Sequence, residues 1–354
     1  MLGAGKLSSI LHLYRGRFAS YLLPFNYAFG ISGGIDMITT TLRLGIEKYM
    51  TGPESRGELP TRSLISLDIR NMFNAVSRQK LREIVSIDFP ELLPLADCLY
   101  DGPGKTVVKR SDGTWEAIPV REGFSQGCPL SPIFAAIVLK RILTKIHRDL
   151  MVRVQERLSE DMPKFLDDGR GGQPLILGYV DDVNVLVPTR DVHTFLKLFK
   201  KYGEPYGAVL NTEKTRILTN TGGVDIPNKL KNSWISEDRE IGKDLFQAIK
   251  DFSKNKDGSP LEVTDGLRVL GVPIGSQRYC NSFIMKMMTK AVAESNAIRN
   301  GLDSDQTILQ LFRTCTANKM THLFAADVIN ADYDALPEHW NIWRSEMASA
   351  FSKM

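Results

Sequence analysis

A chain of 354 residues that is 43% hydrophobic can bury a sizeable core, which excludes a disordered chain and leads us to expect about two domains. Lys and Arg exceed Asp and Glu by 45 − 41 = 4, a mildly basic balance that permits a polyanionic partner without demanding one. Cys98, Cys128, Cys280 and Cys315 lie far apart with no CxxC pair, so neither a structural zinc site nor a disulfide framework is expected and the setting reads as reducing and intracellular, nuclear or cytoplasmic.

The N-terminal MLGAGKLSSILHLYRGRF has one basic residue ahead of a short apolar patch and no convincing cleavage site, and reads as the start of the folded part. No run of about 18 apolar residues predicts a membrane span, so no membrane partner is expected. DMITTTLRLGIEKYM (36–50) places Ile38, Leu42, Ile46 and Tyr49 on one helical face after an acidic first turn. The polar loop PESRGELPTR leads into SLISLDI, a short buried strand with Asp68 at its C-terminal end. Ser77 is an N-cap for a helix over 77–85. Two β-prone runs around Ser-Asp-Gly predict a hairpin over 106–120, and Pro at its second position starts a long helix over 131–150. LILGYVDDVNVLVP (175–188) reads as strand, Asp-Asp turn, strand, and DVHTFLKLFKKYG as a helix from Asp191 to Gly203. The chain then turns polar over about 221–262, an insertion or linker. LRVLGVPIG (267–275) is a strand entering a turn, and 282–322 reads as two helices. The order predicts an α+β domain followed by a helical one, with a boundary near 280 and no internal repeat.

Asp181 and Asp182 interrupt an apolar run, where burying either charge without a cation costs several kcal/mol by rough estimate. An aromatic-x-Asp-Asp string is weak evidence by itself, and FLDD (165–168) provides a second match in a Gly-rich polar setting, where Asp167 and Asp168 read as solvated. Apolar, β-branched flanks instead fix Asp181 and Asp182 at a tight turn. With Asp68 at another strand end, three carboxylates at one sheet edge could hold magnesium. On those three residues alone, a polar hairpin tip and an unrelated Asp explain the pattern as well. Two further blocks change the balance. REGFSQGCPLSP (121–132) couples a flexible Gln-Gly to two prolines ahead of a helix, a shape suited to laying backbone against a flat ligand. VLNTEKTRIL (209–218) places Asn211 and Lys214 before a short strand.

With these blocks in order, SLDIRNMFN, QGCPLSP, YVDD, LNTEKT and LRVLGVPIG over about 63–275, the chain resembles a reverse transcriptase of the non-LTR retrotransposon type. The resemblance implies a right-hand polymerase fold: partial fingers over 1–62, an antiparallel palm over 63–280 and a helical thumb-like or connection region over 281–354. It implies an RNA template, a DNA primer, deoxynucleoside triphosphates and two Mg2+ ions bound by Asp68 and Asp181, with Asp182 as third carboxylate. Phe73 matches the side chain that blocks a ribose 2′-hydroxyl, though an ordinary core Phe is the other reading. Gln126, Gly127 and Tyr179 match residues lining the nucleotide and template base. Ser131-Pro132 match the start of the next helix, where Ser131 could equally be only an N-cap. Lys214 matches a lysine at the departing pyrophosphate, against the alternative of a surface Lys. Leu270 and Gly271 match the turn that steadies the primer.

Other residues carry less. His147 and His193 lie on predicted helices without partners. Trp340 and Trp343 read as helix core. Lys286, Lys290, Arg299, Arg313 and Lys319 could line a duplex or form solvated faces. LPFNYAFGISGG (23–34) resembles the last finger motif, with Asn26 where Gln is commoner, and the basic segment expected upstream is missing. The chain therefore reads as the core of a larger element, a truncated copy or a piece of a gene model, and the alternative to a polymerase is an inactive remnant that only binds nucleic acid.

Overall fold

The computed structural model describes residues 4–50, 62–102, 104–125, 127–159, 172–219 and 262–316, with residues 247, 248, 251, 252, 341, 345 and 348 besides. The chain forms two compact units. The first takes Met1–Ile35, Thr61–Ile217 and Asn232–Glu262, and the second Asp36–Pro60, Leu218–Lys231 and Val263–Met354. In chain order, helices α1 (Ala4–Leu13), α2 (Arg15–Leu22) and α3 (Gly34–Met50) precede strand β1 (Arg62–Leu67). Then come α4 (Met72–Ala75), α5 (Arg78–Asp88), α6 (Leu93–Tyr100), the strands β2 (Gly104–Lys109) and β3 (Trp115–Val120), and α7 (Ser131–Ser159). Strands β4 (Leu175–Tyr179) and β5 (Asp182–Pro188), helix α8 (Val192–Gly203) and strand β6 (Arg216–Leu218) follow. After β7 (Glu262–Thr264) come β8 (Gly266–Val269), β9 (Val272–Gly275), α9 (Gln277–Gly301) and α10 (Asp305–Leu311).

The first unit is an antiparallel sheet with helices, as the sequence predicts. Its strands run β4-β5-β1-β6, with β5 antiparallel to both β1 and β4. Every residue from Val183 to Pro188 is buried, and β1 is buried at all positions but Ser66, so these central strands are covered on both faces and read as apolar runs. Among the described residues, Ile133–Leu139 of α7 are all inaccessible to solvent, and α7 packs against α5 and against α8, whose Phe195, Leu196 and Phe199 are fully buried. A helix apolar all round belongs inside the core. It continues to Ser159, nine residues beyond its expected end at 150, because no Gly or Pro stops it there. Ser77 caps α5 as expected, accepting a bond from the Lys80 amide.

His193 is not without a partner. Only 8% exposed, it bonds Asp251 at 2.8 Å and meets the edge of Phe252, whose neighbour Ala248 is fully buried. That part of the polar 221–262 stretch therefore packs into the first unit, where sequence reading made all of it an insertion or linker. His147 is half-buried and packed edge-on against Phe25 at 5.4 Å.

In the second unit, Ile38, Leu42 and Ile46 of α3 are buried as the helical spacing predicts. The 267–275 stretch belongs to a complete hairpin, β8 paired with β9, not a single strand. Helix α9 begins at Gln277, capped by Ser276, ahead of the expected 282. Gln126, Asp167, Asp168, Lys319, Trp340 and Trp343 lie outside the described residues. Among the described residues no helix is long and apolar enough to cross a membrane.

Candidate active site

The acid pair sits on a two-residue turn. Tyr179 at the end of β4 pairs with Asp182 at the start of β5, leaving Val180 and Asp181 as the connection. Val180 has φ +56°, a left-handed conformation usually reserved for glycine at this hairpin position and costly for a β-branched residue, on the order of 1–3 kcal/mol. One element beneath the turn supports it. Phe25–Tyr27 lies alongside Gly178, which donates to the Phe25 carbonyl at 2.8 Å and accepts from the Tyr27 amide at 2.9 Å. A Cβ at Gly178 would stand 2.7 Å from the Phe25 carbonyl oxygen, so this approach requires glycine. Asn26, 1% exposed, donates through Nδ2 to the Val180 carbonyl at 3.0 Å.

Asp68 stands one residue beyond Leu67, which pairs with Val183. Continuing that antiparallel register brings position 68 beside position 182, so the end of β1 meets the turn. The segment after α8 holds Asp68 in place. Ile69 bridges Leu210, the Asn211 amide donates to the Asp68 carbonyl at 2.9 Å, and the Asp68 amide donates to Thr215 Oγ1 at 3.2 Å. The Asn211 side chain adds the decisive contact, Nδ2 to Asp68 Oδ2 at 2.7 Å, which leaves Oδ1 of the carboxylate uncommitted by that bond.

The two carboxylates of the turn respond to burial and to the charge of Asp68. Burial first, and then the charge of Asp68, push Asp181 above the ordinary carboxylate range. Asp182 is raised by withdrawal of its carboxyl from water, then by Asp181 and Asp68, although much of the residue reaches solvent. Such mutual repulsion is what a hard divalent cation would relieve. The donors fit magnesium, which takes carboxylate oxygens. Among the described residues no three His, Cys, Asp or Glu side chains close a cage of their own, and magnesium is usually held by one or two carboxylates plus substrate phosphates and water. Asn211 is 8% exposed, and its buried Oδ1 has no hydrogen-bond partner, an orphaned acceptor beside Asp68.

Phe73 lies on α4 and is half-buried. Its carbonyl accepts from the Phe124 amide, and the Val76 carbonyl from Gly123 at 2.8 Å, which ties α4 to the start of the 124–131 block. Gly123 has φ +77° and its Cβ would lie 2.4 Å from the Asn74 backbone, so only glycine permits that contact. Ser131 is the first residue of α7. Its hydroxyl bonds the Ser125 carbonyl at 2.8 Å and the Tyr100 hydroxyl at 3.0 Å, closing the loop that presents Gly127. Gly127 is exposed with φ +88° and open space where a Cβ would be. An open polar groove of about 360 Å³ adjoins this block, lined by Asn74, Arg78, Lys105, Thr106, Glu122 and Ser125. Arg78 is buried, and its guanidinium reaches the carbonyls of Gly102, Val120 and Gly123, fastening the base of the β2–β3 hairpin.

Tyr179 is half-buried at the turn, and Lys214 is exposed three residues after Asn211. Leu270 (φ +49°) and Gly271 (φ +92°) are the two central residues of the β8–β9 turn in the second unit. Sequence reasoning noted Asn26 and Asn211 within motifs but gave their amides no role, and it missed Arg78. No short-range pattern announces bonds that span 154 and 143 residues.

A family model described as reverse transcriptase (RNA-dependent DNA polymerase) matches residues 57–274, more than half of the chain. Solved structures of telomerase are also similar. For telomerase from Candida tropicalis in complex with a TWJ fragment of telomeric RNA, identity is 17%, coverage is 61% of this chain and 34% of that one, and the TM-score is 0.42. For telomerase from Candida albicans in complex with a TWJ fragment of telomeric RNA, identity is 14%, coverage is 98% and 56%, and the TM-score is 0.46. The chain thus spans between about a third and just over half of the length of those proteins.

Proposed function

The chain belongs to the reverse transcriptase family, and on that premise we propose that it is an RNA-directed DNA polymerase of the non-LTR retrotransposon type, extending a DNA primer along an RNA template. In the reaction a primer 3′-hydroxyl attacks the α-phosphate of a deoxynucleoside triphosphate and pyrophosphate leaves. The observation that carries this reading is the register that brings Asp68 to the Asp181-Asp182 turn, with each carboxylate of the turn raised first by burial and then by a neighbouring carboxylate.

Asp68 and Asp181 would hold two Mg2+ ions, with Asp182 as third carboxylate. Bound there, the ions would stabilise the attacking and leaving oxygens of an in-line phosphoryl transfer. The chain's own part is positioning and charge. Phe73, half-buried on α4, would exclude a ribose 2′-hydroxyl. Gln126, Gly127 and Tyr179 would line the nucleotide, and the bare backbone at Gly127 suits close approach of a flat base. Lys214, exposed and next to the segment that grips Asp68, would neutralise the departing pyrophosphate. The turn at Leu270 and Gly271 would steady the primer. Its Leu holds a left-handed conformation, which is kept only where the surroundings enforce it.

The test is primer extension with Mg2+ on RNA and DNA templates. Extension on RNA is expected, and Asp181→Asn should slow it by at least about a thousandfold, roughly 4 kcal/mol of barrier. Extension retained by Asp181→Asn in a pure preparation would defeat the assignment. A wild-type protein that binds primer-template but never extends it would instead mark a nucleic-acid binder without catalysis.

A further inference from the structure

The geometry points to Asn26 as the positioning residue that aims Asp181, acting through the peptide between Val180 and Asp181. This rests on the polymerase reading of the Asp181 turn.

A two-residue turn whose first central residue is a valine with φ +56° is not a conformation the sequence Tyr-Val-Asp-Asp would choose by itself. Something outside the hairpin has to hold it. In an unconstrained turn the peptide plane between Val180 and Asp181 can rotate, changing ψ of Val180 and φ of Asp181 and with the latter the direction in which the Asp181 side chain leaves the backbone, since both ends of the turn are anchored by the Tyr179–Asp182 pair. The carbonyl of that plane is the atom Asn26 Nδ2 holds at 3.0 Å. Asn26 cannot swing away. It is 1% exposed, its Oδ1 accepts from the Ala28 amide at 3.1 Å, and its main chain runs beside Gly178 through bonds of 2.8 and 2.9 Å on either side. The amide is thus fixed at both ends, oxygen toward Ala28 and nitrogen toward Val180, and this also settles its orientation, since only the nitrogen can donate to a carbonyl. The lack of a side chain at Gly178 is part of the same device, because a Cβ there would stand 3.3 Å from Nδ2 and 2.7 Å from the Phe25 oxygen. A segment 154 residues upstream in sequence therefore sets the direction in which the metal-binding carboxylate leaves its turn.

The experiment uses the full chain and three readouts: hydrogen exchange of the peptide spanning Tyr179–Val183, Mn2+ binding by electron paramagnetic resonance without substrates, and nucleotide kcat and KM in primer extension. For Asn26→Ala we expect exchange at the turn to accelerate at least tenfold while the rest of the unit keeps its protection. Mn2+ affinity should fall about tenfold, and kcat should fall tenfold or more with KM within twofold. Asn26→Asp, nearly the same volume without the donor, should behave alike and serves if the alanine variant folds poorly. Turn exchange and Mn2+ binding both unchanged would overturn the proposal. So would a loss of protection spread evenly over the unit, which is the mark of a merely structural role. An inactive wild-type protein whose Asn26→Ala variant still loosens the turn and loses Mn2+ would sink the polymerase reading and leave the positioning role standing.

Discussion

Asp181 illustrates how a single side chain can work against the stability of the molecule that uses it. Its pKa in the folded protein is raised above the ordinary value of 3.8, so between that value and the raised one the folded state binds more protons than the unfolded chain. Stability then declines as pH climbs through that window, and at neutral pH the cation-free protein carries the full cost of the ionised, partly buried group. Asp182 acts with the same sign. Asp181→Asn, which keeps the shape and removes the charge, should therefore raise the melting temperature of the chelator-treated protein at pH 7 and lose that advantage near pH 4. A melting temperature unchanged or lowered at pH 7 would contradict the electrostatic account. Phe73 makes the complementary case, a half-buried side chain proposed to act by steric exclusion. On that proposal Phe73→Ala should lower discrimination between deoxy- and ribonucleotides by at least about tenfold in kcat/KM. Unchanged discrimination would reduce Phe73 to a packing residue.

At the scale of elements, the site depends on the return of the chain from α8 to β6. After the turn Glu204–Tyr206, Gly207 adopts φ +77° directly against α4, where a Cβ would lie 1.9 Å from the Ala75 carbonyl oxygen. This close pass lets Leu210 and Asn211 reach the flank of Asp68. Gly207→Ala combines a disfavoured backbone conformation with a clash against backbone, and should cost about 2 kcal/mol or more in a denaturant melt. A cost under about 0.5 kcal/mol would show that the segment yields easily. The elements themselves were largely readable. The strands β4 and β5 declared themselves through β-branched runs on either side of the acid pair, and β2 and β3 through Ser-Asp-Gly. The hairpin at 266–275 was read as one strand because Leu-Gly occupies a turn where Asn-Gly or Asp-Gly would have signalled it. The carboxylates Asp68, Asp181 and Asp182 were legible because charge at the end of an apolar run needs an explanation. The amides of Asn26 and Asn211 were not, since their roles depend on which distant carbonyl or carboxylate the fold brings to them. The pairing of His193 with Asp251 was hidden for the same reason.

For the whole molecule, the division into two units means that the carboxylates proposed to be catalytic and the turn proposed to steady the primer belong to different compact bodies, which gives ligand-linked stability a local signature. A ligand that binds only the folded state stabilises it by about 2.7 kcal/mol at a hundredfold excess over Kd, and it does so only through the residues that hold it. Mg2+ should therefore slow hydrogen exchange in the first unit, most of all around residues 66–70 and 179–183, and raise its melting temperature. Asp68→Asn combined with Asp181→Asn should abolish both effects while leaving the exchange of α9 untouched. The same titration separates magnesium held at the site from general screening of charge. Na+ at equal ionic strength would weaken the repulsion among Asp68, Asp181 and Asp182 by a Debye term common to every exposed pair, and would protect no one turn selectively. If Mg2+ protected the double variant as well as the wild type, the cation would be acting elsewhere on the chain, and the three carboxylates would have to be explained without it.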